Sequence, residues 1–133
     1  MKIFATLYVL FITISFSFLK QQTPLQESIE RGKEVYSDFC VTCHLENGEG
    51  IPSTFPPLAK SDYLLNNRNK SIKGLKYGQQ GEIIVNGLIY NNSMPALGLE
   101  DEEIADVMNY ILNSWENTSN KMVTPEEVSK ITE

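Results

Sequence analysis

From Leu25 onward, apolar residues recur at three- and four-residue steps: Leu25, Ile29, Gly32, Tyr36, Phe39 and Cys40. That spacing predicts an amphipathic helix. Thr23-Pro24-Leu25-Gln26 supplies its start, with threonine as cap, proline at the first helical position and glutamine three residues after the cap. Gly32 interrupts the stripe at a cost of about 1 kcal/mol relative to alanine, and a glycine on a buried face is expected where another helix crosses closely. A second stripe, Ile104, Val107, Met108, Ile111, Leu112 and Trp115, follows the acidic run Glu100 to Glu103, and acids belong at a helix N-terminus. Ser61 to Leu65 reads as a short capped helix, Ser71 to Leu75 as a further helical turn, and Thr124-Pro125-Glu126-Glu127 as the start of a last short helix. Glu82 to Tyr90 differs in kind: apolar β-formers flank Asn86-Gly87, the strongest short hairpin signal. The pattern predicts a mostly α domain with one small β-hairpin, too short to stand without an apolar surface to pack on.

The ends of the chain set the domain limits. Ile3 to Leu19 is almost wholly apolar after Lys2, and the first acid in the chain is Glu27. Residues 1–20 therefore read as a secretory signal peptide or a retained N-terminal anchor, and export is expected either way. Residues 21–133 are expected to form one domain, with its core over 25–118 and a tail over 119–133.

The chemistry enters at Cys40-Val41-Thr42-Cys43-His44. Two cysteines three apart followed at once by histidine form a c-type haem attachment pattern. On one helical turn, i, i+3 and i+4 share a face, so two thiols can reach the vinyl edges of a haem while the imidazole meets the iron. A thioredoxin-like pair, a disulfide and half of a zinc site compete for the same cysteines. His44 is the one histidine in the chain and no second Cys/His pair exists, which disfavours a four-ligand zinc site. The helix expected before Cys40 disfavours the thioredoxin pattern, which follows a strand.

With one histidine, the next suitable axial ligand is a methionine sulfur, and Met/His ligation raises the reduction potential. Met108 sits on an apolar stripe, Met122 lies in a polar tail and Met1 belongs to the leader. Met94 lies in a loop, and Pro95 holds it extended. Met94 is thus the expected second axial ligand beside His44. A proximal histidine also needs an acceptor for its other ring nitrogen. The carbonyl of Pro56, in Phe55-Pro56-Pro57-Leu58, is the candidate.

With the haem face, the flanking helices and the Met94-Pro95-Ala96 loop in hand, the chain resembles a class I monohaem cytochrome c from about residue 25 to about 118. The resemblance implies an all-α fold of crossing N- and C-terminal helices around one covalent haem c. The helix bearing Gly32 and Tyr36 would cross the terminal helix near Val107 and Tyr110. Cys40 and Cys43 would carry the thioethers, and Pro56 and Leu58 are the expected haem contacts of their segment. The segments Phe55 to Ala59, Gly81 to Tyr90 and Met94 to Ala96 resemble bacterial cytochromes that serve respiratory reductases, oxidases or dehydrogenases. One departure is Glu100, where a hydroxyl residue usually caps the terminal helix; Asp101 is an alternative cap.

Charge limits the partners. Without Lys2 and Lys20, nine basic residues face seventeen acidic ones, a surface that repels nucleic acid. The bases cluster at Lys60, Arg68, Lys70, Lys73 and Lys76, a run read as a solvated face. The expected function is one-electron carriage between exported or membrane-bound redox proteins, with membrane association possible through residues 1–20. The alternative is a haem subunit of a dehydrogenase, reductase or oxidase complex. Two occupied axial positions would leave no site for oxygen or peroxide, so an enzyme is not expected. A haem enzyme with a displaceable Met94 and a haem-free thiol oxidoreductase are the competing classes.

Overall fold

A computed structural model describes residues 22–133; the expected leader, 1–20, lies outside the described residues. Helix α1 spans Pro24–Phe39, and Thr23 caps it with both halves of the capping box in place. One residue later, α2 (Val41–His44) carries the attachment pattern. Ser61 caps α3 (Asp62–Asn66) through its side chain, and α4 (Arg68–Tyr77) follows directly. The hairpin is β1 (Ile83–Val85) and β2 (Leu88–Tyr90), then come α5 (Asp101–Ile111) and α6 (Pro125–Ser129).

The frame is the crossing of α1 and α5. A Cβ built on Gly32 would stand 2.0 Å from the Asp106 carbonyl oxygen and 2.9 Å from Tyr110 Cβ. The crossing point is thus Asp106 and Tyr110, one residue earlier than the resemblance implied on the α5 side. Around it Ser28 donates to Asp106 at 2.6 Å, and Arg31 grips both carboxylate oxygens at 2.6 and 2.9 Å. Ser28 is fully buried although the apolar stripe passes beside it; the carboxylate is what makes its burial tolerable. Tyr36, Tyr110 and Trp115 close one end of the crossing, with ring centroids 5.0 to 5.5 Å apart.

Three expectations need correction. Helix α5 ends at Ile111, and Trp115 lies beyond it with φ 51°; the ring reaches the crossing from a turn, not from the helix. Glu100, not Asp101, is the N-cap, and its amide donates to the Glu103 carboxylate at 2.8 Å, so an acid replaces the hydroxyl by using the side chain at the third helical position. The single turn expected at Ser71 to Leu75 is a ten-residue helix, hidden by its many lysines and by Gly74.

The segment read as a tail belongs to the core. Val123 and Val128 are completely buried. Asn109, itself buried, accepts from the Val123 amide at 2.7 Å and donates to its carbonyl at 2.9 Å. Arg68 forks onto Glu127 at 2.6 and 2.8 Å and also donates to the Lys121 and Met122 carbonyls. The hydrogen bond from Arg68 is the main reason the Glu127 carboxyl is held below its usual pKa, and burial opposes it. A depressed carboxylate stabilises the fold above its unfolded pKa and loses that contribution as pH falls through the folded value. Glu127→Gln is therefore expected to lower stability by about 1 kcal/mol at neutral pH, and the difference from the parent should close as pH falls below about 4. Urea denaturation at several pH values checks it; a constant difference down to pH 3 would assign the loss to packing instead.

The hairpin pairs Ile83 with Tyr90 and Val85 with Leu88. Asn86 and Gly87 have φ 50° and 79°, the left-handed pair that a two-residue turn of this hand requires. Val85 and Tyr90 turn inward and are buried, whereas Ile84 and Ile89 face out. Asp62 and Asn86 exchange two hydrogen bonds, 3.0 and 2.7 Å, which fasten the turn to the start of α3.

Candidate functional site

Between α2, α4, the hairpin and α5 lies a cleft of about 220 Å³. One water needs only about 10–15 Å³ on this measure, so the space suits a large ligand, and its walls are mainly apolar. Cys40, Cys43, His44, Pro56, Leu58 and Met94, the candidate residues of the sequence, all line it. Met108 lines it too, completely buried on α5, while Met122 does not.

The attachment residues are fixed locally. The Cys40 carbonyl accepts from the amides of Cys43 and His44 at 3.2 and 2.9 Å, which closes the turn that aligns the three side chains. The Tyr36 hydroxyl donates to the Leu45 carbonyl at 2.6 Å and ties this turn to α1. Burial pushes the Cys40 thiol up to about 11, with Cys43 adding to the shift. Reactive thiols are lowered, not raised, so a buried, protonated Cys40 does not suit thiol exchange.

His44 Nδ1 lies 2.9 Å from the Pro56 carbonyl oxygen. Proline presents a carbonyl acceptor without competing as a donor, and the bond leaves Nε2 as the free ring nitrogen. Burial lowers the His44 pKa, and the Pro56 bond works against that; a neutral imidazole is the form that binds metal. The Pro56 segment is held in turn by Gly48, whose carbonyl accepts from Leu58 and Ala59 at 2.7 and 2.9 Å. Asn117 donates to the Leu58 carbonyl at 2.9 Å.

Met94 is held through its backbone. Its amide and carbonyl exchange two 2.8 Å hydrogen bonds with Gln79, just past α4. Gly78 makes this approach possible: it has φ 85°, and a Cβ there would stand 2.9 Å from the Met94 carbonyl oxygen. The terminal methyl of Met94 lies against Gly74 on α4. Sequence reasoning singled out Met94 from its loop and its proline neighbour, and the cleft has it in its lining; it missed Gln79 and Gly78, whose signal was a glycine just beyond a helix of unread length.

Two buried or half-buried thiols, an imidazole with one nitrogen engaged and an apolar cleft fit a covalently held haem, and define the class: a monohaem protein built on crossed helices. Comparison with known proteins agrees. Residues 29–115 match the cytochrome c family. Cytochrome c-552 of Thermus thermophilus is 41% identical over 109 residues, spanning 75% of this chain and 82% of its own. Cytochrome c6 of Gracilaria tenuistipitata var. liui is 31% identical over 113 residues, spanning 84% and 95%. The cytochrome c subunit of alcohol dehydrogenase (quinone) from Gluconobacter oxydans is 28% identical over 75% of this chain but only 21% of its own length. The chain belongs to the cytochrome c family, in its class I monohaem form. It is an electron carrier whose cofactor is covalent haem c.

Proposed function

We infer that Cys40 and Cys43 hold the haem as thioethers, that His44 and Met94 are its axial ligands, and that Pro56 and Leu58 complete the contacts on the histidine side. The observation that carries this reading is the presence of an oriented imidazole and a backbone-pinned methionine in the lining of one apolar cleft. When bound, the haem supplies one-electron chemistry at iron. The chain's own residues do the rest. Pro56 fixes the imidazole, Gln79 and Gly78 fix the thioether, and the apolar walls exclude water from both. With two protein ligands in place the protein acts as a carrier and not as an enzyme. Its partners are redox proteins, one donating and one accepting. Its location is outside the cytoplasm, residues 1–20 serving as signal or anchor and 21–133 as the haem domain. Among the described residues no helix is long and apolar enough to cross a membrane.

The test is Met94→Ala. The haem is expected to stay attached and the weak sulfur-to-iron absorption of the ferric protein to vanish. The potential is expected to fall by a sizeable part of the about 0.8 V that axial ligation spans, and cyanide to bind faster. Loss of that absorption in Met108→Ala instead would reject the assignment.

A further inference from the structure

The cleft is lined by donors that find no acceptor among the described residues. Tyr90, on the inward face of β2, is 3% exposed and lines the cleft. Among the described residues its hydroxyl has no hydrogen-bond partner, while no side-chain polar atom sealed from solvent is left unpaired. The Tyr90 hydroxyl therefore opens onto the cleft. A buried phenol nearly always finds an acceptor. Tyr63 on α3 also lines the cleft, and its hydroxyl too is unpartnered among the described residues.

Lys70 on α4 lines the cleft too, and with Ile83 and Ile84 of the hairpin it also lines a neighbouring groove. It is the one charged side chain lining the cleft among the described residues, and no acid lines it. Three of its four neighbours in the basic run are committed elsewhere, Arg68 to Glu127, Lys76 to Asp101 and Lys60 to Glu116, and the fourth, Lys73, does not line the cleft. Among the described residues Lys70 forms no ion pair. A haem brings two propionate carboxylates, on the edge of the ring roughly opposite its two vinyl groups. Thioethers to Cys40 and Cys43 direct the vinyl edge toward α2, and the carboxylate edge then needs donors away from α2.

Resting on the haem reading above, we propose that the junction of α4 and the hairpin is the propionate site, where the Tyr90 hydroxyl donates to a propionate carboxylate and the Lys70 ammonium neutralises it. In a low-dielectric cleft an uncompensated carboxylate acts on the iron over a short distance and favours the ferric state. Tyr90 and Lys70, by compensating it, hold the potential up. The inward residue of a strand that looked chosen for β-propensity is thus a tuning residue.

The test uses the holoprotein carrying Tyr90→Phe, Lys70→Gln or Lys73→Gln, read by equilibrium redox titration and by the propionate bending vibrations in resonance Raman. Tyr90→Phe keeps the ring and removes only the donor. Tyr90→Phe and Lys70→Gln are each expected to lower the reduction equilibrium constant by roughly three- to tenfold. Tyr90→Phe is also expected to move a propionate mode. Lys73→Gln, on the same helix but off the cleft, is expected to change neither. An unmoved potential and propionate mode in Tyr90→Phe would overturn the role of Tyr90. Equal shifts in Lys70→Gln and Lys73→Gln would reduce Lys70 to a distant charge and overturn its part. Failure of the Met94 assignment shows separately, as a sulfur-to-iron absorption that is missing in the parent or survives Met94→Ala, and leaves both readouts usable.

Discussion

His44→Ala yields no stable holoprotein: that is the expected result, and the largest effect of any single substitution in this chain. His44 is the one histidine, so no neighbour can take its place. Removing the ring also strands the Pro56 carbonyl, which loses its 2.9 Å partner and with it the anchor between the loop after α2 and the cleft. The cleft is too large and too apolar to persist filled with water alone. Its walls include Met108 and Val107 from the centre of α5. A total stability of only 5–15 kcal/mol is ordinary for a domain, and losing the ligand about which the helices pack exhausts it. A denaturing gel stained for haem and a far-ultraviolet circular dichroism spectrum of the purified variant check both halves. Recovery of a helical, haem-free protein would show that the fold does not depend on its cofactor.

Gly32→Ala is expected to destabilise the protein by about 3 kcal/mol, lowering the melting temperature by roughly 10 °C. Two effects oppose each other here. Alanine is the better helix former by about 1 kcal/mol, and in an open helix the substitution would stabilise. The added methyl, however, would stand 2.0 Å from the Asp106 carbonyl oxygen and 2.4 Å from its carbon. Those are backbone atoms of the facing helix, so no side chain can rotate away. The helices must separate, which stretches the 2.6 Å bonds from Ser28 and Arg31 to Asp106 and loosens the three-ring cluster at Tyr36. The clash wins. Thermal and urea unfolding of Gly32→Ala beside Lys33→Ala, an exposed neighbour, separates the two effects; a Gly32→Ala protein as stable as the parent would mean a looser crossing.

What the sequence disclosed was what short-range physics determines. The cap at Thr23, the Asn86-Gly87 turn, the caps at Ser61 and Thr124 and the attachment turn all lie within a few residues of their signals. The apolar stripes gave the helices α1 and α5, Gly32 gave the close approach of another helix, and the family resemblance named α5 as that helix. The hidden parts depend on partners far apart in the chain. Arg31 meets Asp106 across 75 positions and Arg68 meets Glu127 across 59. The basic run that looked like a solvated face proved to be three ion-paired residues and two others. Ser28 and Asn109 are buried polar residues whose partners hydropathy cannot name. Val123 and Val128 are too few and too widely spaced to announce a core segment. Tyr90 was legible as a strand residue, but its hydroxyl had meaning only beside a cleft that four elements build together.

The side-chain amide of Asn109 serves as a substitute peptide group, pairing with both the amide and the carbonyl of Val123. Its consequence concerns the order in which the molecule comes apart. Chain ends ordinarily fray first and offer themselves to proteases. Here the Val123 amide is sequestered by the central helix itself, so its solvent exchange is tied to the opening of α5. The last dozen residues leave with the frame and not before it.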